Sequence, residues 1–71
     1  MQDFQNNSRS LLTVRQFAEK HPAFSEGSLR FIIFHARRNG FNQCIRRIGR
    51  KVLLDEAAVF RWIDARNGIE D

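Results

Sequence analysis

Seventy-one residues carrying a formal charge of +4 make one small domain, and a chain this short buries only about 60% of its unfolded surface, too little for a deep catalytic cleft with a supporting shell. The single cysteine, Cys44, excludes an internal disulfide and fits a reducing cytosol. No apolar run approaches the ~20 residues that cross a bilayer, and the start, MQDFQNNSRS, lacks the basic and apolar regions of a secretory signal.

The N-terminus reads as a disordered polar tail over residues 1–10, followed by a folded domain over 11–68 and a C-terminal tail over 69–71. The first helix is expected after Thr13, where Val14, Phe17 and Ala18 recur at helical period. Thr13 and Gln16 have the spacing of a capping box, and Leu12 and Phe17 that of a hydrophobic staple. This helix should run over about 14–21, because the residue before Pro22 disfavours helical geometry. The second helix starts at the cap Ser25, runs through LRFIIFHARR and ends at Asn39–Gly40, where glycine can close it in a left-handed conformation. Leu29, Ile32, Ile33 and Ala36 form its core face.

CIRRI and KVLL flank Gly49–Arg50 and read as a β-hairpin, with Cys44 in the strand. The turn can hold two or three residues. A three-residue loop is preferred, since it turns Ile48, Val52 and Leu54 inward, with Arg47 and Leu53 on the other face. The third helix starts at the cap Asp55, carries Trp62 at the edge of the core with Val59, Ile63 and Arg66, and stops at Asn67–Gly68.

Charge is distributed unevenly over these elements. Between Glu26 and Asp55 there are seven basic residues and no acid, whereas residues 55–71 carry a net −3. A single-sign block of this kind is the electrostatic footprint expected for a polyanion, the alternative being a solvated basic face without a partner. Two helices joined by about four residues, His21 to Phe24, fit a helix-turn-helix whose second helix enters the major groove. The fold expected is therefore α+β, a winged helix-turn-helix with the hairpin as wing. The DNA-contacting residues expected are Arg15, Ser25, Glu26, Gly27, Ser28, Arg30, Arg37, Arg38, Arg46, Arg47, Arg50 and Lys51. The start of the second helix suits base reading, and the wing suits phosphates or a narrow minor groove. Arg37 and Arg38 serve equally well as complements to the helix dipole.

LLTVRQFAEKH, a serine-started second helix, then RRIGRKVLLDEAAVFRWI together resemble the small winged helix-turn-helix proteins of the MerR superfamily, in particular the excisionase and AlpA-like branch of phages and mobile elements. The resemblance runs from about Leu11 to Ile63. It is carried by Arg47-Ile48-Gly49-Arg50-Lys51 before an apolar strand, an acidic helix start and an aromatic pair, and by Leu12-Thr13-Val14 opening an Ala-Glu helix. It implies DNA binding by the second helix and the wing, in recombination directionality or transcription control in a bacterial cytoplasm, at the nucleoid. Glu26 stands where that family often has a basic residue; its carboxylate can accept from cytosine N4 but repels phosphate.

No catalytic residue, metal or cofactor is expected. His21, His35 and Cys44 lack paired ligand spacing, with His21 read as a helix cap and His35 as flanking the core. Asp55 and Glu56 sit at a helix start, where the dipole favours acids. Phe31 and Phe34 fall off the core face. Phe31 is expected to pack under the wing or against the third helix near Trp62, and Phe34 is left open between core and an interface. The partners expected are double-stranded DNA, with weak self-association or a recombinase, and neither a membrane nor a small-molecule substrate. A protein-interaction module using Phe31, Phe34 and the acidic third helix is the alternative function.

Overall fold

Three of the four helices begin where a side-chain oxygen captures a free amide. The computed structural model describes residues 10–68; of the tail expected over 1–10 all but Ser10, and the tail expected over 69–71, lie outside them. Thr13 Oγ1 accepts from the Gln16 N–H at 3.0 Å, and Gln16 Oε1 accepts from the Thr13 N–H at 2.9 Å, which completes the capping box. Helix α1 (Val14–Lys20) follows and stops at His21, one residue before Pro22. Ser25 caps α2 (Glu26–Phe34) through the Ser28 amide. Asp55 caps the C-terminal helix (Glu56–Arg66) through the Ala58 amide. That helix closes at Asn67, with Gly68 in the left-handed region.

The second helix is not continuous. It breaks at His35, whose backbone lies near φ −100° and ψ 19°, and resumes as the short α3 (Ala36–Asn39). The C-terminal helix is therefore α4. Gly40 then reverses the chain at φ +82°, and a 3-10 turn covers Phe41–Cys44. The break lets Ala36 and Phe41 both enter the core, where they are buried. Cys44 ends the 3-10 turn rather than sitting in the strand, and burial pushes its thiol pKa up.

The sheet has three antiparallel strands: β1 (Leu11–Thr13), β2 (Ile45–Ile48) and β3 (Lys51–Asp55), in the order β1–β3–β2. β1 is the strand not anticipated from sequence, where Leu12 reads only as a staple residue. Leu12 and Ile45 both pair with Leu54, and this row lies against the core. The chain upstream is bound in as well: the Ser10 carbonyl accepts from the Glu56 N–H at 3.0 Å, so Ser10 belongs to the fold.

The hairpin turn is two residues, not three. Ile48 pairs with Lys51 across Gly49–Arg50, with Gly49 at φ +59° and no positive φ at Arg50. A glycine in the first central position with positive φ is the type II′ pattern, whose twist suits a hairpin. The one-residue difference reverses Ile48, which is 64% exposed, and brings Arg47 onto the face of Val52 and Leu54. Leu54 points inward in either register; the observed one buries Ile45 opposite it in place of Ile48 and leaves Arg46 on the face of Asp55, with which it pairs. The core comprises Val14, Phe17, Leu29, Ala36, Phe41, Cys44, Ile45, Leu54, Ala58 and Val59. The helices and the three-stranded sheet together make a small α+β domain, and no helix among the described residues is long and apolar enough to cross a membrane.

Glu56 ties the end of α1 to the start of α4 through His21 and through Lys20 at 3.2 Å. The His21 contact, then Lys20 and Ser10, hold the Glu56 carboxyl below its ordinary range, against the opposing effect of burial. A depressed carboxyl contributes stability above its unfolded pKa and loses it as pH falls through the folded one. Melting temperature should therefore fall as pH drops below about 5, and the gap between wild type and Glu56→Gln should close as it does. A gap that persists in acid would contradict this role for Glu56.

Candidate functional site

The cations divide into those with internal partners and those without. Arg15 pairs with Glu19 at 3.6 Å and Arg30 with Glu26 at 3.5 Å, both i,i+4 and exposed. Such pairs are worth only about 0.3–0.5 kcal/mol, so a phosphate can displace either carboxylate. Arg66 donates to the Asn39 carbonyl at 3.3 Å and lies over Trp62, 4.9 Å from the ring centroid.

Arg46 departs from its expected place at the hairpin tip. Its guanidinium donates to the Gln43 carbonyl at 2.8 Å and the Ile45 carbonyl at 3.1 Å, and pairs with Asp55 at 3.3 Å. Arg46 lies opposite Leu53, so Asp55 is its diagonal neighbour on the same face. Asp55 is buried while capping α4, and a buried carboxylate needs a counter-charge. Arg46 supplies it.

Besides Arg61 on α4, which stands apart beside Arg46 and Trp62, Arg37, Arg38, Arg47, Arg50 and Lys51 are all exposed and have no acidic partner among the described residues. Arg50 and Lys51 stand at the hairpin turn. The other three converge. A cleft of about 360 Å³ opens between the end of α2, α3 and β2, lined by Ile33, Phe34, His35, Ala36, Arg37, Arg38, Asn42 and Arg47. Sequence alone assigns Arg37 and Arg38 to a helix end and Arg47 to the hairpin; the break at His35 brings them to one concavity. Asn42, on its wall, has no sequence signal that marks it.

The start of α2 is less open than its composition suggests. Ser25, Glu26, Gly27 and Ser28 are exposed. Yet Ser25 Oγ holds the Ser28 amide, Ser28 Oγ donates to the Ser25 carbonyl at 3.0 Å, and Glu26 is taken by Arg30. Further along α2 the outward face is aromatic: Phe31 is 66% exposed and Phe34 is 83% exposed. Phe31 therefore does not pack near Trp62. Phe41 takes that place, edge to face with the indole at 4.9 Å, while Trp62 Nε1 donates to the Asn39 carbonyl at 2.8 Å. Phe31 and Phe34 instead lie edge to face with the His35 ring, at 4.5 and 5.0 Å.

The remaining candidates are structural. His21 caps α1 and bonds Glu56, and its ring joins Phe17, Phe24 and Phe60 in an aromatic cluster. Cys44 is fully buried. Comparison of the chain with models of protein families, with curated proteins and with solved structures finds no match.

Proposed function

We propose that this chain is a winged helix-turn-helix domain that binds double-stranded DNA, with α1 and α2 as the helix-turn-helix and the β2–β3 hairpin as the wing. The observation that carries this reading is a group of five unpartnered cations on α3 and the hairpin: Arg37, Arg38 and Arg47 around one cleft, and Arg50 and Lys51 at the hairpin turn. Five like charges on one small domain repel each other, and a polyanion relieves that repulsion while releasing its own counterions. The α1–α2 connection, His21 to Ser25, is five residues, the last of them the cap of α2, close to the three- or four-residue turn of a helix-turn-helix. The resemblance to excisionase and AlpA-like proteins supports a role in recombination directionality or transcription control on a mobile element, in a bacterial cytoplasm and with a recombinase as a further partner.

The hairpin gives a direct test. Arg50→Ala with Lys51→Ala should weaken binding to all duplex sequences alike and lower the salt slope by up to about 2. Thermal stability should hardly change, because exposed charges without partners contribute little. Unchanged affinity would show that the hairpin points away from DNA. The exposure of Phe31 and Phe34 favours a second reading, a protein-interaction module on the same scaffold. Salt dependence separates the two, since apolar association does not weaken with ionic strength.

A further inference from the structure

We propose that Phe31 and Phe34 are the base-reading residues of this domain and that they read thymine C5-methyl groups on the floor of the major groove. The inference rests on the DNA-binding reading above and names what that surface recognises.

The outward line of α2 is Gly27, Phe31 and Phe34, at i, i+4 and i+7, a spacing that puts all three on one helical face. Gly27 presents no side chain, so the two rings are the most prominent groups on that line. Both meet the His35 imidazole edge to face, which brings the three rings into one apolar patch. Two exposed phenylalanines against one histidine are an apolar surface of the kind that marks a binding face.

Charge around the rings identifies the occupant. Phe34 lines the same cleft as Arg37, Arg38 and Arg47. Arg30 neighbours Phe31 on the helix, and Glu26, the one acid within α2, faces Arg30. The partner must therefore be apolar where it meets the rings and anionic around them. A DNA duplex has both features in fixed geometry: phosphates along the groove edges, and thymine methyl groups on the floor that accept apolar contact from phenylalanine. At the start of α2 the two serines close on each other, Ser25 with Ser28, and Arg30, released from its weak exposed pair with Glu26, would take a phosphate. Discrimination then falls to the apolar groups.

The test removes the methyl groups and nothing else. Wild-type protein is titrated against an A·T-rich duplex of about two helical turns, and against the same duplex with deoxyuridine in place of thymidine, at several salt concentrations. The uracil duplex should bind roughly fourfold more weakly for each methyl buried, with an unchanged salt slope. Phe31→Ala with Phe34→Ala should bind the thymine duplex no better than the uracil one. Equal wild-type affinity for the two duplexes, with a steep salt slope, would overturn methyl reading and leave DNA binding intact. Tighter binding of the single strand than of the duplex would overturn it too, because the rings would then be stacking on unpaired bases. So would self-association in sedimentation that Phe34→Ser abolishes, if thymine and uracil remain equivalent. Absence of duplex binding at low salt would remove the DNA reading itself.

Discussion

Replacing Phe41 with alanine is expected to leave much of the protein unfolded at room temperature. Phe41 is completely buried, its ring meets Trp62 edge to face at 4.9 Å, and its amide donates to Asn39 Oδ1 at 2.9 Å. It therefore holds the 3-10 turn against α4 just after the chain reverses at Gly40. Truncating a buried phenylalanine costs about 3–5 kcal/mol. A folded unit of this size has a total of only about 3–9 kcal/mol, at 0.05–0.15 kcal/mol per residue. Urea unfolding should show the midpoint falling sharply with the slope unchanged. Phe34→Ala, the same chemical change at an exposed site, should stay within about 0.5 kcal/mol of wild type. A cost below about 1 kcal/mol at Phe41 would mean that the turn does not depend on it.

The second large effect is expected at the arginine cleft. Replacing Arg37, Arg38 and Arg47 with alanine should lower the magnitude of the salt slope of DNA binding by about 3, near 0.9 for each phosphate no longer neutralised. At low salt the affinity should fall on the order of a hundredfold or more. Stability should be nearly unaffected: the three side chains are exposed and have no acidic partner among the described residues. Arg37 and Arg38 complement the end of α3, an effect of only about 0.3–1 kcal/mol. Binding by fluorescence anisotropy of a labelled duplex and melting by circular dichroism would check both halves. Unimpaired binding by a folded triple variant would remove the cleft from the interface.

The caps at Thr13, Ser25 and Asp55 and the glycine stops at Gly40 and Gly68 were legible in the sequence because each rests on contacts within a few residues. The core face of the second helix was legible for the same reason, with Leu29 and Ala36 buried as their spacing predicts. What escaped the sequence depends on partners far along the chain. β1 is only three residues long and exists because β3 pairs with it; the hairpin register that exposes Ile48 goes with the burial of Ile45 and the Arg46–Asp55 pair. The break at His35 leaves the apolar periodicity of LRFIIFHARR unchanged, yet it decides that Phe41 rather than Phe31 fills the space beside Trp62. Of the expected DNA contacts, Arg46 proves committed to Asp55, a partner nine residues away. Arg37, Arg38 and Arg47 share a cleft that no local pattern reveals.

The central claim is that the unpartnered cations of the cleft and the hairpin grip the phosphate backbone of duplex DNA. A titration of the wild-type protein with a labelled duplex across a series of salt concentrations tests it most directly. Five cations without acidic partners, Arg37, Arg38, Arg47, Arg50 and Lys51, predict a plot of log affinity against log salt that is straight, with a slope of about −4 to −5. A flat plot, or no binding at low salt, would contradict the account.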